Sequence, residues 1–99
     1  MRYLKEWWVK KKKANKELIN AIKHNNYEKV KSLFSLKGKG KDKEILCEVN
    51  TKVQNNWRGL HIACYKGHFK IVNFLIYKHA DIEARTKSNL TPLMIAAQR

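Results

Sequence analysis

The sequence predicts an all-α protein, built as a stack of helix pairs joined by hairpin loops. Three observations carry that expectation. The chain repeats itself, since residues 48–66 lie over residues 81–99 at an offset of 33, and Val49, Asn56, Leu60 and Ala63 meet Ile82, Asn89, Leu93 and Ala96. A second self-match, at an offset of 42, sets Leu18, Ala21, Tyr27, Val30 and Leu33 over Leu60, Ala63, Phe69, Val72 and Leu75. Within each unit the apolar residues recur at helical rather than strand spacing. A fixed period of this size marks units that bury their apolar faces only by stacking on neighbours.

The elements follow in chain order. The first sixteen residues, containing "RYLKEWWVKKKK", are read as a basic aromatic arm or capping helix, with Leu4, Trp7 and Trp8 spaced i, i+3, i+4. Tryptophans turned inward and lysines outward would cover the exposed end of a stack. Repeat one is placed at about 17–47. The nine residues that separate the two offsets fall in "SLKGKGKDKE", so 36–44 is expected to be a loop, its alternating Lys and Gly a solvated tether. Repeat two, about 48–80, begins with a hairpin and a helix over 60–66, in which the small residues Ala63 and Cys64 admit a close neighbour. Gly67 is expected to end that helix in a left-handed cap. Phe69, Val72, Leu75 and Ile76 then form the apolar face of a second helix. A partial third repeat, 81–99, starts its helix at Thr91-Pro92, a hydroxyl N-cap followed by Pro at the first helical position.

Charge bounds the partners. The chain carries 22 Lys and Arg against 8 Asp and Glu, a net charge of +14 over 99 residues. The excess is uneven: residues 1–43 hold 14 basic and 4 acidic side chains, residues 44–99 hold 8 and 4. Acidic proteins, nucleic acid and anionic lipid are the classes such a charge attracts. The N-terminus lacks the apolar core of a secretory signal, and no apolar run is long enough for a membrane span. Two cysteines make no disulfide framework, so a reducing intracellular compartment, cytoplasmic or nuclear, is expected.

One stretch invites a chemical reading. In "LHIACYKGHFKIV", His61, Cys64 and His68 are three and four residues apart, which on one unbroken helix would align two imidazoles and a thiol as zinc ligands. Gly67 interrupts that helix, and a closed zinc site wants a fourth ligand that is lacking nearby. No metal, cofactor or catalytic residue is therefore assigned. "KGKGK" lacks the spacing and the Lys-Ser/Thr ending of a phosphate loop, and no Ser/His/Asp arrangement is present.

The string "GLHIACYKGHFKIVNFLIYKHADIEA", with "NLTPLMIAA" after it, resembles the repeat of the ankyrin family, and the resemblance runs over residues 17–99. It implies a non-catalytic scaffold that holds a partner protein. Histidines at the positions of His61 and His68 hydrogen-bond backbone groups of neighbouring loops in that family, and Cys64 stands where a small buried residue packs. Departures are visible: Asn25-Asn26 replaces Gly-His, Arg58-Gly59 replaces Thr-Pro, His79 replaces a glycine that often needs positive φ, and Thr86 stands where a loop aspartate is expected.

Carried over position by position, the resemblance places partner contacts at Gln54, Asn55 and Trp57 on one hairpin tip and at Tyr65 and Lys66 on the helix that follows. Arg85, Lys87, Ser88 and Leu90 form the next tip. The expected partner is an acidic protein. The alternative is nucleic acid held by the basic first half, with Lys10, Lys11, Lys12 and Lys13 on phosphates, and a membrane surface ranks below both. Leu93, Met94 and Ile95 sit on a helix without an antiparallel mate, so either another chain or further repeats cover that face, or the last turn frays.

Overall fold

The computed structural model describes residues 2–36 and 44–99, with side chains from Lys5 onward. The expected Lys/Gly loop therefore falls, but for its end residues, outside the described residues, as does the side chain of Leu4. Five α-helices follow in order: α1 (Arg2–Lys23), α2 (Tyr27–Leu33), α3 (Gly59–Lys66), α4 (Phe69–Tyr77) and α5 (Pro92–Ala97). Among the described residues there is no strand pair, only an isolated antiparallel bridge between Lys52 and Arg58. Helices α1, α3 and α5 pack in one row, and α2 and α4 in a second row behind it. The core lies between the rows, where Leu18, Ile22, Val30, Ile71 and Leu75 are fully buried. Phe74 closes it from one side, edge-on to Tyr27 and Phe34 at ring-centroid distances of 6.0 and 5.5 Å.

The repeat is visible in the backbone itself. Asn25 and Gly67, 42 positions apart, both take left-handed φ values of 55° and 71°, so the asparagine ends α1 as the glycine ends α3. Asn56 and Asn89, 33 apart, do the same at 60° and 66°. His79 also accepts a φ of 68°. Helix starts differ from unit to unit. The side chain of Asn26 accepts from Lys29 N–H at 3.2 Å, and that of Thr91 from Met94 N–H at 3.3 Å. Gly59 faces α1: a Cβ built there would lie 2.6 Å from Ile22 Cδ1.

Three expectations are corrected. First, α1 is one unbroken helix across residues 16 and 17, so arm and first repeat helix are a single element. At 22 residues it is about 33 Å long, whereas α2 at seven residues is about 10 Å and cannot run alongside it. Its N-terminal half therefore overhangs: burial begins at Ala14, and Trp8 is 52% exposed rather than turned inward. Second, the buried face of α4 is Ile71 and Leu75 flanked by Val72 and Phe74, not Phe69, Val72, Leu75 and Ile76. Phe69 and Ile76 lie on the flank pointing away from α2, where no further helix of the second row exists among the described residues. Third, Cys64 is only partly buried.

The same register thus meets different surroundings along the stack. Leu60 is 2% exposed, while Leu93, its equivalent 33 positions on, is 77% exposed, with no second-row helix after α5 among the described residues. Leu60→Ala is accordingly expected to cost about 2–5 kcal/mol, and Leu93→Ala within about 0.5 kcal/mol. Urea denaturation of the two variants checks this. With so few stacked units the wild-type chain should also melt below about 80 °C.

Candidate functional site

The side of the molecule bearing the hairpin tips and the first-row helices is organised by His61. Arg58 is the N-cap of α3, but its side chain has no acceptor and cannot cap. His61, at the third helical position, does the work instead: its Nδ1 accepts the Arg58 N–H at 2.9 Å. That bond puts the ring hydrogen on Nε2, which donates to Ala84 O at 3.0 Å and Leu90 O at 3.2 Å. The ring is fully buried. Burial holds its pKa below the ordinary imidazole value, against the pull of its two carbonyl partners, with Arg58 lowering it further and Asp81 raising it. The family-based expectation for His61 holds. For His68 it does not: its Nε2 is buried without a hydrogen-bond partner among the described residues, and its side chain does not cap α4.

Further bonds fix the two tips to each other. Lys87 N–H donates to Asn55 O at 2.9 Å, and Arg58 Nη1 reaches both Asn56 O and Arg85 O. Repeat two closes its tip with Val53 N–H to Trp57 O and Trp57 N–H to Gln54 O. In repeat three Thr86 supplies what a loop aspartate would: its buried hydroxyl accepts Leu90 N–H at 3.2 Å. Arg85 is held by Asn89 through both the backbone and side-chain oxygens.

The predicted contact residues fall into two groups on this frame. Gln54, Asn55, Lys66, Arg85, Lys87 and Ser88 are exposed, and Leu90 is half-buried. Trp57, also half-buried, packs against the rings of His61 at 5.8 Å and Tyr65 at 5.9 Å. Tyr65 is 45% exposed, and the guanidinium of Arg99 lies 4.5 Å from its ring centroid. Arg99, Tyr65 and Trp57 thus make one ladder. Arg99 was not among the predicted residues, since its place over Tyr65 depends on how α5 packs on α3.

Lys10, Lys11, Lys12 and Lys13 do not share a face. Successive residues of a helix turn by about 100°, so the run fans around α1. Lys11 pairs with Glu48 at 2.6 Å and lies over Trp7, Lys12 lies over Trp8, and Lys10 and Lys13 point to solvent. His61, Cys64 and His68 lie on either side of the Gly67 turn. Among the described residues no three His, Cys, Asp or Glu side chains are arranged to hold a metal ion. Burial pushes the Cys64 thiol up, away from the thiolate a nucleophile needs. Among the described residues no helix is long and apolar enough to cross a membrane.

The family model described as "Ankyrin repeats (3 copies)" matches residues 18–99, and the chain belongs to the ankyrin-repeat family. It is similar to alpha-latrocrustotoxin-Lt1a of Latrodectus tredecimguttatus, with 30% identity over 90 residues, 91% of this chain and 6% of that protein. Human oxysterol-binding protein-related protein 1 is 29% identical over 73 residues, 70% of this chain and 7% of that protein. The ankyrin repeat and KH domain-containing protein mask of Drosophila melanogaster is 42% identical over 43 residues, 43% of this chain and 1% of that protein. The chain spans less than a tenth of the length of each of these relatives. Ankyrin repeats are general protein-protein interaction modules, as a rule without catalytic activity.

The His61 geometry sets a pH dependence. Its folded pKa lies below the unfolded value of about 6.5, so its stabilising contribution is complete above that value and is lost as pH falls through the folded pKa. The urea midpoint is expected to drop as pH is lowered from about 7.5 to 5, and His61→Asn is expected to flatten that slope. An unchanged slope in the variant would assign the dependence elsewhere.

Proposed function

We propose that the chain is a non-catalytic scaffold that holds an acidic protein partner on the side bearing the hairpin tips and first-row helices. One observation supports this above the others: the ladder of Trp57, Tyr65 and Arg99, three residues in van der Waals and cation–π contact on a frame pinned by His61. Trp, Tyr and Arg are the types most often found at interface hot spots. A rigid ladder loses little conformational freedom on binding. Gln54, Asn55, Lys66, Arg85, Lys87 and Ser88 would supply a polar rim, with half-buried Leu90 as an apolar contact beside them. The net charge of +14 speaks for an acidic partner, drawn in by long-range attraction and oriented by the tips. Two cysteines make no disulfide framework, which accords with a reducing compartment.

A photoreactive phenylalanine analogue at Tyr65 tests the reading, with the same analogue at Tyr77, which lies on the second-row helix α4, as comparison. The Tyr65 position is expected to crosslink one discrete acidic protein in extract of the native cell, and Trp57→Ala to abolish the product while leaving helicity intact. Equal crosslinking from Tyr77, or a product indifferent to Trp57→Ala, would overturn it.

A further inference from the structure

A second surface on the molecule has a different composition. Between α1 and the turn at 51–53 lies a groove of about 420 Å³. Lys12, Lys16 and Lys23 line it from α1 and Lys52 from the opposite wall, with no carboxylate among the lining residues. None of the four has an acidic partner among the described residues, although Lys11, Lys29 and Lys31 each find one. The segregation is built into the helix. At about 100° per residue, Lys12, Lys16 and Lys23 fall within roughly 40° of one another, while Glu6 and Glu17 lie roughly 100° round the axis. Folding has thus put four like charges along one wall-to-wall track with no acidic partner among the described residues.

At the N-terminal end of this track stands Trp8. The residue is 52% exposed, and its ring leans on Trp7 at 6.1 Å and carries Lys12 Nζ 5.8 Å from its centroid. It fills no core, since burial starts at Ala14. From Trp8 to Lys23 is about 22 Å along the axis. The track is therefore an aromatic platform followed by cations, with Asn15 and Thr51 between them offering an amide and a hydroxyl.

We infer that this groove binds single-stranded RNA, with a base stacked on Trp8 and successive phosphates on Lys12, Lys16, Lys52 and Lys23. Lysine is depleted at protein interfaces and abundant where phosphate is bound, which separates this track from the Trp57–Tyr65–Arg99 ladder. An exposed aromatic ring beside cations suits unstacked bases and not a duplex, whose bases are covered. The Thr51 hydroxyl can both donate and accept, and Asn15, whose Oδ1 accepts the Glu48 N–H at 2.7 Å, has its amide N–H groups to donate, which suits a ribose 2′-hydroxyl. The inference does not depend on the protein-binding reading, because the two surfaces share no residue.

The test is fluorescence anisotropy of a labelled oligouridine with the full chain, at two salt concentrations. The triple variant Lys16→Gln, Lys23→Gln and Lys52→Gln is expected to weaken binding at least tenfold and to lower the slope of log K against log salt by about 2. Trp8→Ala, which removes no charge, is expected to weaken it about fivefold or more. The charge-matched variant Lys10→Gln, Lys13→Gln and Lys70→Gln should retain most of the affinity. Circular dichroism of each variant checks folding. Equal losses in both triple variants would overturn the inference, since net charge alone would then account for binding. Duplex RNA or the matching oligodeoxyuridine bound as tightly as oligouridine would overturn it too, and so would oligoglutamate of equal charge bound as tightly.

Discussion

A single buried imidazole sets the geometry on which the rest of this molecule depends. His61 ties the start of α3 to the backbone of repeat three through three hydrogen bonds. One neutral tautomer satisfies all three, with Nδ1 as acceptor and Nε2–H as donor. Each role is needed. Arg58 brings no acceptor to the helix start, so without Nδ1 its N–H would be left without a partner, and a buried unsatisfied donor costs about 1–3 kcal/mol. Without Nε2–H the carbonyls of Ala84 and Leu90 would lose their common donor, and the second tip its anchor. Because the ring also backs Trp57, one side chain positions both tips and the aromatic ladder between them.

The stack accumulates such units without closing. In a repeat array each unit is stabilised by its neighbours, so position along the array matters as much as residue type. Leu60 and Leu93 have the same identity and register and opposite exposure. Phe69 and Ile76 form the flank of α4 that points away from α2, and both are exposed. In repeat one the equivalent of Phe69 is Tyr27, and Phe74 of the next outer helix packs on it edge-on. The difference between a core aromatic and a surface one here is the presence of the next helix.

Local structure was legible wherever it is set by backbone conformation. Asn25 and Gly67, and Asn56 and Asn89, align in sequence because each pair must enter the left-handed region, which asparagine and glycine tolerate. Thr91-Pro92 reads as a helix start because the hydroxyl and the fixed φ act within a few residues. What depends on tertiary surroundings was not legible. Apolar spacing in α4 fits two overlapping stripes, Ile71-Leu75 and Phe69-Ile76, and only the missing neighbour decides which is core. The junction at 16 and 17 carries no break because lysine is a good helix former, and a lysine run extends a helix as readily as it forms an arm. Lys10–Lys13 drew attention as a linear run, yet a helix disperses it. The groove collects Lys12, Lys16, Lys23 and Lys52, which no local pattern unites. Position along the repeat points to a backbone-bonding role for His68 like that of His61, and the buried Nε2 of His68 has no hydrogen-bond partner among the described residues. Arg99 entered the ladder through packing of α5 on α3.

The two proposed surfaces differ in composition. One has Trp, Tyr and Arg in mutual contact on a pinned frame, and the other has lysines of α1 and the turn at 51–53 without an acidic partner among the described residues. Both rely on the first-row helices keeping their register with the tips, which returns the account to His61. The most direct measurement of that claim is a long-range proton–nitrogen NMR spectrum of the histidine side chains at pH 7. The account predicts that His61 is neutral, with an unprotonated Nδ1 and an Nε2–H slow to exchange with water. An imidazolium, the opposite tautomer, or a fast-exchanging Nε2–H at that pH would contradict it.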